Sequence, residues 1–226
     1  LVVLYSTKFH NSILPEIIQR DISVEFQSQS IENVVEKILE DNERANVYAL
    51  GPGLGDSKFT IEIIRELINK IPKDKTVVLD ADALKAIDSN SKLSNNFILT
   101  PHSGEMSRIT GIPREEIEEK PHIIANEYAE KLGCTILLKT RPVIISDGKN
   151  TYWNITGNSG MASGGSGDVL TGVIAGLSAQ GLTPLDSASI GAYLHARAGD
   201  IYASKYNEYS LTASSLIDYL SEAMNL

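Results

Sequence analysis

The stretch "NVYALGPGLGDSKFTIEIIRELINK", Asn46 to Lys70, decides the fold. It opens on an apolar run, turns through Gly51, Gly53 and Gly55, and then sets Phe59, Ile63, Ile64, Leu67 and Ile68 on one helical face. A strand, a glycine turn and an amphipathic helix in that order begin a βαβ unit. Working outward, "LVVLY" (1–5), "TVVLD" (76–80), "FILT" (97–100), "TILLK" (135–139) and "VIIS" (143–146) are further short apolar runs. They are continuous rather than alternating, as strands covered on both faces require, which predicts a mostly parallel sheet. "SIENVVEKILED" adds a second helix, with Ile31, Val34, Val35, Ile38 and Leu39 on its apolar face. Helix alternating with strand predicts a doubly wound α/β domain whose ligands sit at the carboxyl ends of the strands.

The last third changes character. "VIISDGKNTYWNI" predicts a hairpin turning at Asp147 to Asn150. Two helices rich in alanine and glycine follow, over Asp168 to Gln180 and Leu185 to Ser204, and Gly172 and Gly176 are expected to let another element approach closely. Across 226 residues, 42% of them hydrophobic, one large domain is the simplest partition. Twenty basic against twenty-nine acidic residues, without a Lys/Arg cluster, disfavour nucleic acid and an anionic membrane surface as partners. The single cysteine, Cys134, excludes an intrachain disulfide framework, and no apolar stretch reaches a membrane span. The expected location is the cytoplasm.

Polar residues collect where the strands end. "GPGLG" is either a tight strand-to-helix turn or a wall of a cleft. Asp80 and Asp82 of "DADAL" are placed to bind magnesium through water or to cap a helix. "PHSGEMSRITG" is expected as a loop presenting His102, Glu105 and Arg108, and Lys139 closes its strand either snorkelling to solvent or meeting a phosphate. "TGNSGMASGGSGDVLTG", Thr156 to Gly172, leads bare backbone into Asp168 and a helix. Glycine amides at a helix start suit phosphate. Asp168 is expected to cap that helix and also to take a proton from a hydroxyl while the amides stabilise a transferring phosphoryl group.

"GPGLG", "LDADAL", "LTPHSGEMSRITG", "LLK" and "GNSGMASGGSGDVLTGVIAGLSAQG", in this order over nearly the whole chain, resemble the ADP/ATP-dependent NAD(P)H-hydrate dehydratases, relatives of ribokinase. The resemblance implies a single ribokinase-like three-layer α/β/α domain over residues 1–226. It implies dehydration of the S epimer of hydrated NADH or NADPH, with ADP (or ATP) as phosphoryl donor, Mg2+ assisting, and AMP and phosphate released.

The resemblance carries site residues with it. Gly53, Gly55, His102, Ser103, Gly104, Glu105, Met106, Arg108 and Asp168 would bind the hydrate. Lys139, Thr140, Arg141, Pro142 and Val143, with Asn158, Ser159, Gly160, Met161, Ala162, Ser163, Gly164, Gly165, Ser166 and Gly167, would bind the nucleotide. Gly165, Ser166 and Gly167 would form the anion hole beside the catalytic Asp168, and the metal ligands are left unassigned.

It further implies a homo-oligomer and an epimerase domain, fused or separate. A strand and helix that family members carry before "LVVLYS" are missing from this sequence, so the domain is expected to be N-terminally incomplete. In "KTRPV", Thr140 replaces a usual glycine and Val143 a usual polar residue, which is expected to alter nucleotide binding. Two alternatives stay open: a vitamin-precursor kinase of the same superfamily and a catalytically silent dinucleotide-binding protein.

Overall fold

The computed structural model of the chain describes residues 2–6, 17–21 and 30–225, so Leu1 of the first predicted strand lies outside the described residues. Strands β1 (Val2–Ser6) and β2 (Ile17–Asp21) pair in parallel. The main sheet has six strands in chain order: β3 (Val47–Leu50), β4 (Thr76–Leu79), β5 (Phe97–Leu99), β6 (Thr135–Leu138), β7 (Val143–Ser146) and β8 (Thr151–Asn154). β3 to β6 run parallel, and the expected hairpin adds β7 and β8 antiparallel.

Alternation within the strands feeds two cores. Val77, Leu79, Leu99, Ile136, Leu138 and Ile144 pack with α1 (Ile31–Asp41), α2 (Lys58–Lys70), α3 (Ser103–Thr110), α4 (Arg114–Glu119) and α5 (Pro121–Leu132). Val78, Ile98, Leu137 and Ile145 pack on the opposite face with α6 (Ser166–Ala179) and α7 (Pro184–Lys205). α8 (Ala213–Ala223) closes a third, smaller cluster against α7. Each fully buried branched side chain contributes about 1.5–3 kcal/mol before chain entropy is counted, so both faces must be covered, and the strands read as unbroken apolar runs. This is the three-layer α/β/α arrangement. Among the described residues no helix is long and apolar enough to cross a membrane.

Two expectations are corrected here. "PHSGEMSRITG" is not a loop: it holds α3, started by His102, whose Nδ1 accepts from the N–H groups of Gly104 and Glu105 while Glu105 accepts from the His102 N–H. That reciprocal capping box satisfies donors a loop would leave to water. Gly172 and Gly176 admit no close neighbour, since nothing lies within 4 Å of a Cβ added at either. Gly191 of α7 does that work, for a Cβ there would stand 2.8 Å from Ile174 Cγ1 of α6.

Candidate functional site

Four parallel strands end together, and the loops beyond them form a crest. Over β3 and β4 that crest is braced by its own bonds. Gly51, at φ 137°, presses against β4 so closely that a Cβ would stand 1.7 Å from the Asp80 carbonyl oxygen. Gly55, at φ 77°, donates its N–H to Asp82 Oδ2 at 2.9 Å, and Lys85 reaches Asp82 at 2.8 Å and Asp56 at 3.2 Å. Arg108 donates to the carbonyls of Ile87 and Leu84, holding the 3-10 turn Ala81–Ala86 that carries Asp82. Asp82 therefore does not cap that turn, as expected from sequence; it ties the glycine loop of β3 to it. Gly53 is exposed beside this brace.

Next along the crest, Lys139 at the end of β6 lies beside His102, its N–H donating to the Pro101 carbonyl at 2.8 Å. Ser103 donates to Glu118 at 2.7 Å, and Met106 is buried in the apolar core, which leaves His102 and Glu105 as the side chains of this segment nearest the crest. Thr140 donates its hydroxyl to the Pro142 carbonyl at 2.8 Å, Arg141 is exposed, and Val143 opens β7 against the α6–α7 core.

The glycine-rich segment is anchored at its start and open at its end. The Gly157 N–H and the Asn158 amide donate to Asp200 of α7 at 2.8 and 3.0 Å. Ser159 bonds Glu208 through both its N–H and its hydroxyl, and Gly160 packs on the Glu208 carbonyl. Met161 packs toward α7, Ala162 is exposed, and the Ser163 hydroxyl is buried with no hydrogen-bond partner. Gly164 faces open space.

α6 starts differently from the helices around it. Ser30, Ser57, Thr183 and Thr212 cap α1, α2, α7 and α8 with their hydroxyls, whereas α6 begins at Gly165, in the left-handed conformation at φ 83°, with no side-chain cap. Asp168 is thus not the expected cap. It is the third residue of the helix, exposed, and its carboxylate makes no hydrogen bond or ion pair among the described residues. The N–H groups of Gly167 and Asp168 likewise have no partner there. Helix starts of this kind carry about half a positive charge and unsatisfied donors.

Beneath them lies a buried cluster that the sequence did not reveal. Asp80, 1% exposed, accepts from Lys139 Nζ at 2.8 Å and from the Thr171 hydroxyl of α6 at 2.8 Å. A Cβ on Gly167 would stand 3.5 Å from Lys139 Nζ. An ammonium therefore sits against the positive end of a helix, an arrangement that favours an incoming anion. His195 of α7 lies 3.3 Å from the Ser166 hydroxyl, and burial, reinforced by the charge of Lys139, pulls its imidazole down to about 4. It is neutral at pH 7. Asp80 and Asp82 face different partners, Lys139 and Thr171 for the first and Gly55 and Lys85 for the second, and no group of three His, Cys, Asp or Glu residues placed to hold a metal occurs among the described residues.

The chain matches a family model described as NAD(P)H-hydrate dehydratase over residues 3–222. It is 40% identical over 193 residues to a bifunctional NAD(P)H-hydrate repair enzyme of Moorella thermoacetica, a match covering 83% of this chain and 36% of that protein. A protein of the same name from Pyrobaculum aerophilum is 40% identical over 187 residues, covering 82% of this chain and 37% of the relative. The chain thus spans little more than a third of the length of these curated relatives. A solved ADP/ATP-dependent NAD(P)H-hydrate dehydratase from Bacillus subtilis, co-crystallised with ATP/Mg2+, matches with a TM-score of 0.77 at 28% identity, covering 93% of this chain and 72% of that one.

Proposed function

This chain belongs to the NAD(P)H-hydrate dehydratase family, and from that premise we propose that its crest dehydrates the S epimer of hydrated NADH or NADPH at the expense of ADP. The observation that carries the reading is the start of α6. An unpartnered, exposed carboxylate, Asp168, follows free amides at Gly167 and Asp168, with the Lys139 ammonium alongside. The amides and ammonium bind a phosphoryl group; the carboxylate serves the hydroxyl that receives it.

Asp168 accepts the hydroxyl proton as the oxygen of the hydrate attacks the β-phosphorus of ADP, and the phosphorus–oxygen bond to AMP breaks. The phosphate then leaves with its carbon–oxygen bonding pair, the ring nitrogen supplies electrons, and a proton lost from the adjacent ring carbon restores NAD(P)H. Hydroxide leaves poorly and phosphate well, which is why a kinase-like site suits a dehydration. The hydrate lies across Gly53, Gly55, His102 and Glu105, and the nucleotide along Lys139 to Val143 and Asn158 to Gly167. Mg2+, when bound with the nucleotide, would neutralise charge on the phosphates beside Lys139 and the α6 amides. The relatives' bifunctional names fit a second activity on the same damaged cofactor.

The test supplies hydrated NADH with ADP and Mg2+ and follows near-ultraviolet absorbance together with AMP and phosphate. Equal amounts of the three products are expected. Accumulation of a stable phosphorylated hydrate contradicts the reading and favours a kinase.

A further inference from the structure

Asp80 is placed with a care that neither a cap nor a metal site explains. It makes no side-chain cap bond, and it belongs to no metal-holding group among the described residues. Both carboxylate oxygens are already used, Oδ1 by Lys139 from β6 and Oδ2 by Thr171 from α6. Its backbone is held just as firmly. The chain after it passes through Ala81 at φ 47°, a left-handed conformation that costs a residue with a Cβ about 1 kcal/mol or more, and Gly51 is pressed onto its carbonyl. Strain and a buried charge at one point, under the open start of a helix, are the marks of a preorganised group rather than of a tether alone.

Resting on the phosphoryl site proposed above, we propose that Asp80 is a positioning residue for the reaction, holding the Lys139 ammonium beneath the α6 N-terminus so that it meets the transferring phosphoryl group already aimed. Lysine has a flexible four-carbon stem, and its charge is useful at a fixed point only if something fixes it. Asp80 fixes it with one oxygen while the other, through Thr171, registers α6 against β4. The ammonium keeps two further N–H directions for an anion.

A double-mutant cycle on the full chain tests this, reading ADP affinity by calorimetry and kcat by hydrate turnover. Asp80→Asn is expected to weaken ADP about fivefold and to lower kcat about tenfold or more. In a Lys139→Met background both effects are expected to shrink below about twofold. Equal losses in the two backgrounds would show that Asp80 does not act through Lys139 and would overturn the proposal. Should Asp80→Asn fail to fold, Lys139→Arg keeps the charge but moves it, and a kcat unchanged by that substitution would equally overturn the proposal. Wild-type chain that binds ADP without returning NADH absorbance counts against the dehydratase reading, while the binding cycle still decides the role of Asp80.

Discussion

The two halves of the crest are built oppositely. Over β3 and β4, Asp82, Lys85, Asp56 and Arg108 are each spent on a neighbour, and Gly51 is locked against Asp80. Over β6 and α6, Asp168 and two amides are unspent, and Lys139 is only partly engaged. Both halves carry glycines and aspartates in similar sequence settings. The difference lies in satisfaction: the braced half is a wall, and the half left with open donors and a bare carboxylate is where a guest completes the bonding. Substitutions in the wall should therefore cost stability, and those at the open end should cost function.

The largest expected effect is in the wall. Gly51→Ala forces a Cβ into the Asp80 carbonyl at an unfavourable φ, and it is expected to cost about 4 kcal/mol or more, or to abolish folding, in a denaturant titration. His195, under the open half, gives a pH signature. Its imidazole titrates near 4 when folded against 6.5 when free, so the unfolded chain takes up the proton first. The stability that neutral His195 contributes is full above pH 6.5 and drains as pH falls toward 4, by about 3 kcal/mol. A His195→Gln variant is expected to lose that part of the pH dependence in parallel melts. At the open end, Asp168→Asn is expected to lower kcat about 100-fold with only a small change in melting temperature, because the carboxylate bonds nothing in the fold and meets only the partial charge of the helix start. The smallest effect returns to the wall: Asp82→Ala frees the Gly55 N–H and is expected to cost about 1 kcal/mol in chemical denaturation, the solvent-screened pair with Lys85 adding little.

Most of the sheet was legible because burial on both faces leaves unbroken apolar runs. β3 to β7 were placed within a residue at each end, and the hairpin turn at Asp147 fell where its glycine and asparagine put it. β2, α4, α5 and α8 were not placed, and α3 was hidden because histidine is an unusual N-cap. The open end of the site was legible for a local reason: glycines, a helix start and Asp168 are contiguous. The cluster around Asp80 was not, since Lys139 and Thr171 stand 59 and 91 residues away and nothing in "DADAL" points to them. Asp200 and Glu208, which anchor the start of the glycine segment, were invisible for the same reason. Contacts set by tertiary approach leave no period or spacing in the chain.

The contrast between wall and open end meets its most direct test in a crystal of the chain soaked with ADP and the hydrate. The β-phosphoryl oxygens are expected within hydrogen-bond distance of Lys139 Nζ and the Gly167 and Asp168 amides, with the hydrate hydroxyl at Asp168. Phosphate density resting instead on the Gly53–Gly55 side, with α6 untouched, would contradict the account.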